Sequence, residues 1–170
     1  MRPLTALLLA LCLLCPAARA AEEPPVTRAQ FAGLLWDRLG AVPYDANGPF
    51  SDVDPGHPCA AAVSWLAHEG VLLGTGGSRF DPERSITREE AAVLLRRTAR
   101  WLEWPPDATF TPDGLAACND YEGISPWADD SLYWTCTTGL MDWSPGGRLD
   151  PGGGITEGEA DTVLDRFFAP

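Results

Sequence analysis

Ile86-Thr87-Arg88-Glu89-Glu90-Ala91 is the stretch whose reading decides the fold. Thr87 has Glu90 three residues on, the capping-box signature in which each side chain satisfies the other's backbone N–H at a helix start. Ile86 precedes the cap, where it can staple to Ala91. Beyond it, Ala91, Leu94, Leu95 and Ala99 recur at spacings of three and four, one apolar stripe of an α-helix. The pattern occurs twice more, in Val26-Thr27-Arg28-Ala29-Gln30-Phe31 and Ile155-Thr156-Glu157-Gly158-Glu159-Ala160. Gln30 and Glu159 complete the capping boxes of Thr27 and Thr156. The stripes are Phe31, Leu34, Leu35 and Leu39 in one helix, and Ala160, Val163, Leu164, Phe167 and Phe168 in the other. Three such helices are expected to pack around a pseudo-threefold axis, with Leu35, Leu95 and Leu164 near it.

The similarity extends beyond the helix starts. Residues 57–99 align without a gap on 126–168, and 12 of the 43 positions are identical, against about three expected from background composition. Among them are Trp65/Trp134, Gly70/Gly139, Arg79/Arg148, Asp81/Asp150 and Pro82/Pro151. Internal duplication accounts for this, and the period points to a helical array. A second helix type is expected at 58–69 and 127–138, each ended by a glycine cap, Gly70 or Gly139, followed by an apolar residue. The connectors 74–85 and 143–154 are rich in Gly, Pro and Ser and read as turns, shaped by Asp81-Pro82 and Asp150-Pro151.

The whole chain has 170 residues, 45% hydrophobic and 21% charged, which excludes wholesale disorder. Twelve basic residues, all Arg, face 24 acidic ones, for a net charge of −12. Such a balance argues against nucleic acid and anionic lipid surfaces as partners. Residues 1–20 read as a signal peptide: Arg2, an apolar run from Leu4 to Leu14, then Ala18-Arg19-Ala20 before the expected cleavage. The run is too short to span a bilayer as a mature helix. No later segment reads as a membrane span. Cleavage would remove Arg2 and Arg19 and leave 10 Arg against 24 acids, a charge of −14.

Phe50-Ser51-Asp52-Val53, the helix ending His68-Glu69-Gly70-Val71, then Gly74-Thr75-Gly76-Gly77, Phe80-Asp81-Pro82 and Ile86-Thr87-Arg88-Glu89-Glu90 together resemble one complete S-layer homology (SLH) motif. Residues 50–102 carry that match. A looser one covers 119–168, without a clear F-x-D-V and with Trp143 in place of a family glycine. Residues 26–40 match only the second half of a motif. The organisation expected is a signal peptide at 1–20, a partial motif at 21–49, a complete motif at 50–104, a linker loop at 105–118 and a divergent motif at 119–170. The resemblance implies an all-α bundle of helix-loop-helix repeats, exported to a bacterial cell surface or wall. It implies non-covalent binding of cell-wall secondary polysaccharide, often acidic or pyruvylated, in grooves between motifs. It implies no cofactor. With no cargo domain left over in the sequence, cargo would be another surface protein. The alternative is an SLH scaffold that serves as a protein-interaction or structural module without glycan binding.

Thr27, Gln30, Thr87, Glu90, Thr156 and Glu159 are explained by capping. The arginines are not, because a cation in the first turn opposes the helix dipole. Arg28 and Arg88, beside backbone N–H groups at a helix start, are candidate carboxylate-binding residues, or else partners in structural ion pairs. Glu157 takes the arginine's place in the third motif. Trp65 is either core or a groove wall. Gly74, Gly76 and Gly77 either admit a sugar to the backbone or satisfy a turn.

Other chemistry finds little support. The histidines are His57 and His68, and neither sits in a metal-ligand spacing. No Ser or Cys has the base and orienting acid of a nucleophile, so the chain reads as a non-enzyme. Of the three cysteines after the leader, Cys118 and Cys136 are expected to form a disulfide, leaving Cys59 odd.

Overall fold

The computed structural model describes residues 23–104, 119–142 and 147–169. The expected leader, the 105–118 linker and Cys118 lie outside the described residues. Among those described there are five α-helices and no strand: α1 (Arg28–Arg38), α2 (Ala60–His68), α3 (Arg88–Trp101), α4 (Asp129–Thr137) and α5 (Glu157–Phe167). A 3₁₀ turn at Tyr121–Gly123 precedes α4.

The three capping boxes form as read. Thr27, Thr87 and Thr156 each accept a hydrogen bond from the N3 backbone N–H, and the Gln30, Glu90 and Glu159 side chains each accept one from the cap N–H. Leu35, Leu95 and Leu164 are all fully buried in one core cluster, with the pre-cap residues Val26, Ile86 and Ile155. The pre-cap segments close a ring. The Val26 N–H donates to Ile155 O at 2.8 Å and the Ile86 N–H to Val26 O at 3.1 Å. Isolated antiparallel bridges join Pro25 to Thr156, Thr27 to Ser85 and Thr87 to Gly154. The pseudo-threefold arrangement is therefore held at two levels, by backbone pairing at the helix starts and by the leucines below them.

α2 and α4 pack beside this centre, α2 against α1 and α4 against α3. Each is two residues shorter at its start than the sequence pattern implies. Their ends match expectation. Gly70 has φ +72° and Gly139 φ +74°, left-handed values that an L side chain resists. At α2 the Val71 N–H reaches Leu66 O and the Gly70 N–H reaches Ala67 O, a Schellman termination. Asp81 and Asp150 also adopt left-handed φ, +55° and +49°, immediately before their prolines.

These strained turns are secured by a carboxylate. Asp52, of Phe50-Ser51-Asp52-Val53, accepts hydrogen bonds from the Phe80 N–H at 2.8 Å and the Asp81 N–H at 2.9 Å. In the third motif Asp120 accepts equivalent bonds from the Leu149 and Asp150 N–H groups, both at 2.8 Å. The element missing from the looser motif is thus present as Cys118-Asn119-Asp120-Tyr121. It lies 68 residues from its counterpart rather than 69, so the gapless comparison passed over it.

Candidate functional site

Arg28 and Arg88 sit one residue after their caps and reach across to the loop of the following motif. Arg28 Nε donates to Phe80 O at 2.8 Å and its Nη2 to Leu73 O at 3.4 Å. Arg88 Nε donates to Leu149 O at 2.8 Å and its Nη2 to Asp142 O. Phe80 and Leu73 correspond to Leu149 and Asp142 in the duplicated sequence, so the two arginines make the same clamp twice. Both are buried. Arg28 also pairs with Glu90 at 2.9 Å and lies 4.6 Å from the centre of the Phe80 ring. Burial lowers the Arg28 pKa, opposed by the Glu90 charge.

The backbone N–H groups beside these arginines are also engaged. Those of Arg28 and Ala29 donate to Arg84 O and Pro82 O, and those of Arg88 and Glu89 to Gly153 O and Pro151 O. The carboxylate pocket expected at each helix start is therefore filled by the protein's own loop carbonyls. For Glu157 the same spacing points upstream of Thr27. Seven and fourteen residues before Thr27 lie Ala20 and Leu13, in the expected leader. Those two positions lie outside the described residues; Glu157 is exposed and shares a groove with Glu23, Pro24 and Pro25.

Trp65 lies in the core, edge-on to Trp101 at 5.5 Å. Gly74 is required by packing: a Cβ there would collide with Arg79 O and with the Phe50 ring. Gly76 and Gly77 have φ +120° and +57°, which the turn itself demands.

An open groove of about 400 Å³ nevertheless exists on the second motif, joined by Arg28 of the first and Trp127 of the third. Arg28 and Glu90, paired with each other, line it. Leu73, Gly74 and Thr75 line one side, Val93, Leu94 and Arg97 another, and Trp127 stands at the rim. Leu73 and Trp127 are 54% and 58% exposed, large apolar surfaces turned to solvent. Glu90 is satisfied by Arg84, Arg28 and the Thr87 N–H. Burial raises its pKa, but those donors outweigh it and leave the net shift downward. Arg97 is half-buried and has no hydrogen-bond or ion-pair partner among the described residues. Burial, and secondarily the Arg100 charge, lower its pKa. Sequence reasoning missed both Arg97 and Trp127. The signal for Arg97 was available: it has no acid three or four residues away on its helix, and it is identical to Arg166 across the duplication.

A pseudo-symmetric groove of about 450 Å³ lies at the first motif. There Glu157 stands in place of Arg28 and Asp37 in place of Arg97, and Cys59 and Glu23 also line it. Burial, then the Asp37 and Glu83 charges, push the Cys59 thiol up. His57 Nε2 lies 2.9 Å from Glu83 Oε1. No group of three or more His, Cys, Asp or Glu among the described residues could hold a metal. No helix of the described residues is long and apolar enough to cross a membrane.

Three capped helices in a ring, two of them clamping the next motif's loop, define a repeat module. Residues 49–92 match the family described as S-layer homology domain, and the chain is an SLH-domain protein. It is 30% identical over 139 residues to exoglucanase XynX of Acetivibrio thermocellus, covering 82% of this chain and 12% of that protein. It is 24% identical over 148 residues to cell surface glycoprotein 1 of the same species, covering 85% of this chain and 6% of that one. With the outer membrane protein SlpA of Thermus thermophilus it shares 29% over 101 residues, 55% of this chain and 11% of that protein. The chain spans only a small fraction of the length of these relatives.

Proposed function

We propose that this chain is an exported, non-catalytic cell-surface module that anchors to the envelope by binding cell-wall secondary polysaccharide non-covalently. Its ligand lies in the Arg97 groove. SLH membership and similarity to surface proteins support the anchoring part. One observation carries the binding part: a half-buried guanidinium without a partner among the described residues, lining a groove with an exposed tryptophan. Desolvating a cation without compensation costs stability, and an acidic sugar would supply the missing partner through a bidentate, charge-assisted contact. Trp127 offers an apolar face against which a sugar ring can stack. The motif boundaries, cleavage after Ala20 and the Cys118–Cys136 disulfide belong to the same reading, with a second surface protein as cargo.

The test is co-sedimentation of the purified chain with cell-wall sacculi, before and after extraction of the secondary polysaccharide. Retention that disappears on extraction is the expected result. A second reading, an SLH scaffold that binds protein instead of glycan, is favoured by the absorption of Arg28 and Arg88 into the fold. Retention that survives extraction, or is absent throughout, would support it.

A further inference from the structure

The duplication supplies an internal comparison for the groove. Arg97 and Arg166 stand ten residues after their cap threonines and are identical across the alignment, yet their surroundings differ. Beside Arg97 the loop presents Leu73, which cannot accept a hydrogen bond from its side chain. The corresponding residue beside Arg166 is Asp142. Its Oδ2 accepts from Arg166 Nη2 at 2.9 Å, and Arg166 Nη1 also reaches Gly139 O and Leu140 O, each at 3.3 Å. We propose that anionic ligand binding is confined to the Arg97 groove, and that Asp142 is the residue that withdraws its pseudo-symmetric mate from binding. This rests on the anchoring reading above and fixes its stoichiometry at one glycan chain per protein.

The electrostatics of the three related positions support the same ordering. In the Arg97 groove, Glu90 is already neutralised by Arg28 and Arg84, which leaves Arg97 without a compensating acid among the described residues. Around Arg166, Asp142 cancels the available cation. At the first motif, Glu157 and Asp37 replace both arginines and repel an anion. The Asp142–Arg166 pair is solvent-exposed, so it adds little to stability. As an intramolecular competitor it is nonetheless effective: a tethered carboxylate acts at millimolar or higher effective concentration against any free one. Replacing the Asp142 side chain leaves its backbone carbonyl in place for Arg88.

The experiment is titration calorimetry with wall polysaccharide released from sacculi and fractionated to fragments too short to span two grooves. Wild type is expected to bind one fragment. Arg97→Ala should weaken it about ten- to a hundredfold. Arg166→Ala should leave it unchanged. Asp142→Leu, which copies Leu73, and the milder Asp142→Asn should each raise the stoichiometry to two. Two sites in wild type would overturn the proposal. One site in both Asp142 variants, with the helical circular-dichroism spectrum intact, would overturn it while the anchoring reading stands. No binding by folded wild type would remove the anchoring reading and the groove assignment together.

Discussion

Arg88→Ala separates a structural from a ligand-binding arginine. Arg88 is buried and donates to two carbonyls of the third motif's loop, Leu149 O and Asp142 O. Hydrogen bonds involving a charged partner contribute about 1.5–3 kcal/mol each, and truncation leaves both carbonyls unpaired against the seam. Against this, removing a cation from the first turn of α3 recovers about 0.3–1 kcal/mol of dipole energy. The net expectation is a loss of about 2–6 kcal/mol, or about 5–25 °C in Tm for a domain of this size. Arg88→Lys keeps the charge but not the forked geometry that reaches two carbonyls, and should fall between. Urea unfolding followed by tryptophan fluorescence gives the value. A change of less than about 0.5 kcal/mol for Arg88→Ala would refute the clamp and return Arg88 to the list of free binding groups.

Three further expectations can be measured. Leu95→Ala, at a fully buried site on the axis, should cost about 2–5 kcal/mol in the same assay; a near-neutral result would contradict the shared core. The carboxyls of Asp52 and Asp120 are raised by burial but lowered more by the backbone N–H groups they accept from, so their folded pKa lies below the unfolded value. Their stabilisation is present above about pH 4 and lost as pH falls through the folded values, so Asp52→Asn should flatten the acid limb of a stability–pH profile; an unchanged acid limb would refute the assignment. Thiol labelling of exported protein without reductant should modify Cys59 at most. Modification of Cys118 and Cys136 would remove the disulfide, whose loop closure is worth about 3 kcal/mol in the chain-entropy model.

The helix starts, the glycine terminations and the central leucines were legible because each follows from a local rule: a cap, a positive φ or a 3.6-residue period. The groove was not, because its walls come from α3, from the loop after α2, from Arg28 of α1 and from Trp127 two residues before α4, segments far apart in sequence. Arg28 and Arg88 illustrate the limit. Sequence showed that they do not serve their own helices, but their partners lie 45–61 residues away in the next motif. Asp120 was hidden by a one-residue deletion that shifts it out of the gapless comparison. Trp65 was weighed as a groove wall, but its place on the inner face of α2 puts it in the core, and Trp127 takes the rim position.

The most direct measurement of the central claim is the retention of Arg97→Ala on sacculi that carry their secondary polysaccharide, with its Tm measured alongside. Arg97 has no partner to lose among the described residues, so the substitution should leave Tm unchanged or slightly raised. Retention should fall by about tenfold or more, the equivalent of one charge-assisted bidentate contact. Wild-type retention by the stable variant would contradict the claim that this groove holds the wall ligand.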